Sequence, residues 1–172
     1  MPPLDDFLDA PGRGGLFGAL LDESARAADD FCRLVERFSQ SAFDEQRPSD
    51  DPSTVSPRAI CAHVCGAQRR YADYIRKALG LPHVDRYELP LDAVRFPRDV
   101  RPLLGDALRY TEGAVAGIVD DKRDPQDIAT FAVRWGPVYD PEMILEHGVV
   151  HLLRHRRQLE RWREGLSRAP RS

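Results

Sequence analysis

Residues 140–165 have the pattern of one long amphipathic helix, the clearest structural signal in the chain. Asp140 followed by Pro141 is a typical helix start, since the aspartate caps free backbone N–H groups and proline fits the first helical turn. His147, His151 and His155 follow at steps of four residues. Each step advances about 40° around a helix, so the three imidazoles form a stripe on its inward face.

Three buried histidines in one stripe predict more than a packed core. A single inward histidine is commonly satisfied by a neighbour, but three would leave several ring nitrogens needing partners. A divalent metal ion is one such partner. The stripe spans about 12 Å, too far for one ion to take all three rings, so at least one ligand is expected from another helix.

Three further helices are predicted from apolar spacing and end signals. The first covers residues 16–38, and the second is bracketed by Ser56-Pro57 at its start and Gly80 at its end. The third covers residues 98–119, with several glycines and a proline that weaken it. Residues 128–135 alternate in polarity and predict an extended or hairpin-like arm. Together these segments predict an all-α fold, a four-helix bundle with long crossover connections.

The chain length of 172 residues favours a single domain. We expect an irregular N-terminal arm over residues 1–13, the helical domain over residues 14–167, and a C-terminal tail over residues 168–172. The net charge of −3 gives no case for a nucleic-acid or membrane partner. No secretory signal or spanning segment is visible, and the three cysteines show no disulfide-scaffold spacing, so a cytoplasmic location is expected.

Two local patterns each allow two interpretations. The arginines from Arg154 onward indicate either a solvated helix end or a surface for an acidic ligand. Cys61 and Cys65 lie four residues apart in the second helix, where they are either small core residues or half of a metal site.

His63 lies on the inward face of the second predicted helix and supplies the missing ligand. One imidazole from this helix and an i, i+4 pair from the last helix would hold a divalent cation at three corners. Such a set leaves coordination positions open, as catalytic metal sites do. Imidazole ligands suit Zn, Ni, Fe or Mn, so the sequence does not choose among these ions.

His63 followed at a distance by H-x-x-x-H-x-x-Q, here His151 to Gln158, resembles the DinB/YfiT-like superfamily of metalloenzymes. The resemblance implies a four-helix bundle with a non-sequential helix order. It also implies His63, His151 and His155 as metal ligands, with Gln158 supporting the last of them. The sequence departs from the family pattern at Arg157, where a glycine is common, and in having the extra His147.

The resemblance implies a thiol S-transferase that uses the metal to present a low-molecular-weight thiol to a small electrophile, and a possible homodimer. Two alternatives stay open: a metal-dependent hydrolase with His147 as proton carrier, and a non-catalytic metal-binding or interaction bundle. No catalytic residue beyond the ligands is predicted. Tyr71, Tyr74 and Trp135 would line the mouth of the pocket or belong to the core.

Overall fold

The computed structural model describes residues 3–116, residue 118 and residues 129–165, and the described chain is mostly helical. Its α-helices are α1 (Pro3–Asp9), α2 (Gly15–Val35), α3 (Gln40–Asp44), α4 (Pro57–Ala78), α5 (Val100–Val115) and α6 (Pro141–Arg163). One small hairpin joins β1 (Phe131–Ala132) to β2 (Val138–Tyr139) in antiparallel register. The expected all-α class is therefore confirmed.

The four long helices pack around one apolar core. Each of α2 and α4 packs against both α5 and α6, so α2 and α4, the first two long helices, lie on opposite sides of the core. The largest fully buried side chains come from all four long helices and from α1 and α3: Leu4, Phe31, Phe43, Ile60, Ile75, Leu104, Ile144, Leu152 and Leu159.

Helix α4 begins and ends where its capping signals predict. The Ser56 side chain accepts a hydrogen bond from the Ala59 N–H, with Pro57 in the first turn of α4. At the other end Gly80 has φ of +67°, and the Leu81 N–H donates to the Arg76 carbonyl. This is the left-handed glycine stop that the sequence predicts.

The N-terminal segment differs from the expected irregular arm, because residues 3–9 form α1. Leu4 and Phe7 are 0% and 2% exposed, and α1 packs against α2 and α5. In the turn after α1, Nη1 of Arg13 forms a salt bridge with Oδ1 of Asp22 at 2.8 Å. Two well-buried apolar side chains in a seven-residue helix are too few to produce a readable period, which is why the pattern predicts no helix there.

Smaller differences concern the connections. The connection between α2 and α4 contains the short helix α3, which Ser39 caps and in which Phe43 is 0% exposed. The third helix ends at Val115, and the rest of its predicted span runs into residues outside the described part. Residue 128 and the predicted tail over residues 168–172 also lie outside it. Within the described residues no helix is both long and apolar enough to cross a membrane.

Candidate metal centre

The histidines lie where α4 and α6 run side by side in opposite directions. The His63 ring contacts His151 and His155, whereas Tyr71, two turns later in α4, contacts His147 and His151. Gly148 sits at this contact. A β-carbon on it would lie 3.1 Å from the Gln68 side-chain oxygen, so the absence of a side chain permits the close approach.

His63, His151 and His155 form one group, as the sequence predicts. One ligand atom from each lies within 4.8 Å of the other two. His155 is buried, and the other two rings are half-buried. The i, i+4 alternative built on His147 and His151 is not the pair that the fold brings to His63.

The spacing of the nitrogens fits a divalent ion. Nε2 of His63 lies 3.1 Å from Nε2 of His151. Two imidazole nitrogens at ordinary zinc–nitrogen distances on a tetrahedron are about 3.3–3.4 Å apart, so this pair needs to open by only a few tenths of an ångström. The Nδ1 atom of His151 is buried without a hydrogen-bond partner among the described residues. Neutral imidazoles with free lone pairs are the donors that zinc, nickel and iron accept.

Burial keeps these rings neutral. It lowers the pKa of His63 to about 4 and that of His151 to about 2, and neighbouring histidines add to both effects. The pKa of His155 is lowered as well, again chiefly by burial. A metal competes with protons for the same nitrogen lone pair, so a depressed pKa favours the ligand form at neutral pH.

Gln158 orients His155. The Nδ1 atom of His155 lies 2.9 Å from Oε1 of Gln158. An amide oxygen only accepts, so Nδ1 carries the ring proton and Nε2 presents its lone pair to the group. This is the arrangement in which an outer partner fixes the tautomer of a metal-binding histidine.

His147 belongs to an aromatic cluster beside the three histidines. Its ring stacks on Trp135 at a centroid distance of 5.0 Å, and its Nδ1 lies 3.4 Å from the Tyr139 hydroxyl. Trp135 also meets Tyr71 and Tyr74 edge-on, each at 6.2 Å. Tyr71, Tyr74 and Trp135, expected either at the mouth of the pocket or in the core, are thus in contact through Trp135; Tyr71 is buried and Trp135 is 43% exposed.

Charged residues around the histidines went unrecognised in the sequence. Burial lowers the pKa of His63 and His155, and Asp51, in the loop before α4, partly offsets this at both, while Arg70 and Arg134 add to it at His63. Arg154, between the two ligand positions of α6, lowers the pKa of His151 and His155. Asp51 and Arg134 lie in connections, where no sequence period connects them with the helices.

The cysteines take no part in this site. Cys61 and Cys65 are 0% and 3% exposed in the apolar core. Burial raises the pKa of Cys32 to about 12 and raises those of Cys61 and Cys65 as well. A buried thiol with a raised pKa is neither a good nucleophile nor a good metal ligand, which favours the core role over half of a metal site.

Comparison with known proteins gives no relative: no protein-family model and no curated protein sequence matches this chain. The likeness to the DinB/YfiT-like superfamily therefore rests on the three histidines, Gln158 and the helix plan.

The depressed histidine pKa values predict an acid-sensitive metal-free protein. The unfolded chain, with an ordinary histidine pKa near 6.5, binds protons more readily than the folded one, in which His63 has a pKa of about 4. The free energy of unfolding is therefore at its maximum above about pH 6.5 and decreases as the pH falls from 6.5 toward about 4. We expect the urea midpoint of the chelator-treated protein to fall between pH 7 and pH 5.

Matched variants identify the source of this loss. His63→Gln and His151→Gln should flatten the dependence, whereas His83→Gln, in the loop after α4, should leave it unchanged. If the urea midpoint falls equally with pH in the wild type and in all of these variants, the histidine group does not cause the acid sensitivity.

Proposed function

We propose that this protein is a metal-dependent enzyme with a DinB/YfiT-like four-helix bundle, and that it transfers a small thiol to an electrophile. The observation that carries the proposal is the convergence of His63, His151 and His155 within 4.8 Å. The packing of both α2 and α4 against α5 and α6 supports the non-sequential helix order implied by the resemblance. Zn, Ni, Fe and Mn are all candidates for the ion.

The residues of the site have three roles in this proposal: binding the ion, orienting a ligand and excluding water. His63, His151 and His155 would hold the ion, and Gln158 fixes His155 in the tautomer that binds. A divalent ion there would lower the pKa of a thiol or water molecule that reaches it. Tyr71 and Trp135 form an apolar wall beside His151 and His147, which excludes water from one side of the reacting groups.

An external thiol suits the site better than one from the chain itself. Cys32, Cys61 and Cys65 are all buried, and their pKa values are raised. None of them is available as a nucleophile at neutral pH. A thiol mechanism at the histidines therefore requires a small-molecule thiol that enters from solvent.

Metal-dependent hydrolysis is the second candidate, and Asp51 is the observation in its favour. Its carboxylate accepts hydrogen bonds from the Ser53 backbone and hydroxyl, and its charge partly offsets the lowering of the pKa of His63 and His155 by burial. A carboxylate so placed is a candidate general base for water. In the thiol mechanism the same group would only adjust the charge of the site.

The first prediction of this proposal concerns metal content. The chelator-treated protein should bind about one equivalent of Zn(II), Ni(II), Fe(II) or Mn(II), measured by elemental analysis after gel filtration. His151→Ala and His155→Ala should weaken binding by more than about 100-fold, beyond the loss typical for an outer partner. His83→Ala should bind as the wild type does.

Circular dichroism of the same variants separates an open functional site from a structural one. Loss of metal with retained helicity supports the proposal, whereas collapse of the fold favours a metal that serves stability alone. Failure to bind any of the four ions would refute the metal centre.

A second prediction concerns Gln158. Gln158→Leu removes the acceptor for the His155 Nδ1–H and should weaken metal binding by about 10–100-fold. Gln158→Glu keeps an acceptor of similar shape and should bind at least as tightly as the wild type. Competition with a chromophoric chelator measures both affinities. Equal affinities for the leucine and glutamate variants would show that Gln158 does not orient His155.

The third prediction tests the reaction. With a chromogenic aryl halide such as 1-chloro-2,4-dinitrobenzene and a panel of small thiols, the metal-loaded protein should accelerate thioether formation above the thiol-only rate. His151→Gln should abolish the acceleration, and His83→Gln should retain it. Turnover of ester or amide substrates without thiol would favour the hydrolase instead. No acceleration of either reaction would favour a non-catalytic bundle.

A further inference from the structure

The Arg70 guanidinium is folded back along α4 toward the histidines. Its Nη1 atom lies 3.3 Å from the position that a β-carbon on Gly66 would occupy, and it donates a hydrogen bond to the Tyr87 carbonyl at 3.1 Å. Gly66 is three residues after His63, so it follows His63 by about one helical turn. The small residue leaves space for the guanidinium on this side of the helix.

Arg134 approaches the same region from the hairpin. Its backbone N–H donates to the Tyr74 hydroxyl at 3.1 Å, and the Tyr74 ring stacks on Phe131 at 5.7 Å. These contacts hold β1 and the following turn against α4. Tyr74 follows Arg70 by four residues, so the exposed Arg134 is held about one helical turn from Arg70 along α4. Consistent with this position, the charges of both arginines add to the effect of burial in lowering the pKa of His63.

Neither guanidinium is neutralised by a described carboxylate. Within the described residues, neither Arg70 nor Arg134 forms a salt bridge. Glu88 acts on Arg70 only at longer range, and the Asp51 carboxylate is engaged by Ser53. The Tyr87 carbonyl occupies one of the five N–H donors of Arg70, and the others remain for a ligand.

We propose that Arg70 and Arg134 form an oxyanion-binding subsite beside the three histidines, which takes a carboxylate or phosphate group of the substrate or thiol. This inference rests on the proposed metal centre, where the reacting end of the same molecule would bind. Arginine suits the task because its planar fork of N–H donors matches both oxyanions. The half-buried position of Arg70 strengthens such a pair relative to one in open water.

The subsite determines which thiols the protein prefers. Anionic thiols should bind better than neutral isosteres, and cationic thiols should bind worst. The apolar wall formed by Tyr71 and Trp135 then faces the uncharged part of the ligand.

One arm of the test uses the metal-free protein, so that it does not depend on the metal centre. Inorganic phosphate and succinate are titrated separately into ¹⁵N-labelled protein, and amide and arginine side-chain resonances are followed. The largest shifts should occur at Gly66, Arg70 and Arg134, and the tighter of the two anions identifies the preferred oxyanion. Shifts confined to the exposed arginines at the end of α6, or no saturable shift, would overturn the proposal.

The other arm uses the cobalt-loaded protein, in which thiol binding is followed by the sulfur-to-cobalt absorption. The probes are 3-mercaptopropionate, its neutral isostere 3-mercaptopropionamide, and cysteamine. Wild-type protein should prefer the carboxylate over the amide by about three- to tenfold, the range expected for a partly exposed charge pair. Arg70→Gln and Arg134→Gln should each remove most of that preference.

Lys77→Gln is the matched control, because it removes the same charge from an exposed position on the same helix. It should keep the full preference. Equal affinities for the carboxylate and the amide in the wild type, or a preference that survives in both arginine variants, would overturn the subsite. Absence of cobalt binding would instead refute the metal centre, and the phosphate and succinate arm would still decide on the subsite.

Discussion

The close approach of α4 and α6 at Gly148 is the contact on which the candidate site depends. His63 and the pair His151 and His155 come from segments nearly ninety residues apart, and they meet only because these helices run antiparallel at short distance. The Gln68 amide bridges the gap by donating to the Gly148 carbonyl at 2.9 Å. A larger residue at position 148 would push against Gln68 and Tyr71 and so separate the rings.

The same packing gives the histidines their chemistry. Their rings lose water on entering the interior, which disfavours the protonated, positively charged forms. Positive charges from Arg70, Arg134 and Arg154 surround the group and oppose protonation further. At neutral pH the rings are therefore in the neutral form that a metal ion requires.

Sequence pattern alone predicts the long helices and the histidine group because both depend on local rules. The caps at Ser56 and Asp140, the stop at Gly80 and the four-residue histidine spacing are all encoded within a turn or two of helix. The choice of His155 over His147 comes from the resemblance carried by the H-x-x-x-H-x-x-Q motif, and the contact between His155 and Gln158 agrees with it.

The features that sequence pattern misses depend on tertiary contacts. Helix α1 is stabilised by burying Leu4 and Phe7 against α2 and α5, and α3 by burying Phe43. Asp51 and Arg134 affect the pKa of His63 from connections that show no regular sequence period, and Arg70 folds back over Gly66. No spacing rule links these residues to the histidines, so only the folded chain reveals them.

X-ray absorption spectroscopy of the zinc-loaded protein tests the central claim most directly, because it counts the imidazoles bound to the ion. The account predicts three imidazole nitrogens at about 2.0–2.1 Å, with the remaining coordination filled by light atoms from solvent. His155→Ala should lower the imidazole count to two. A sulfur shell from Cys61 or Cys65, or a shell of oxygen atoms without imidazole scattering, would contradict the three-histidine centre.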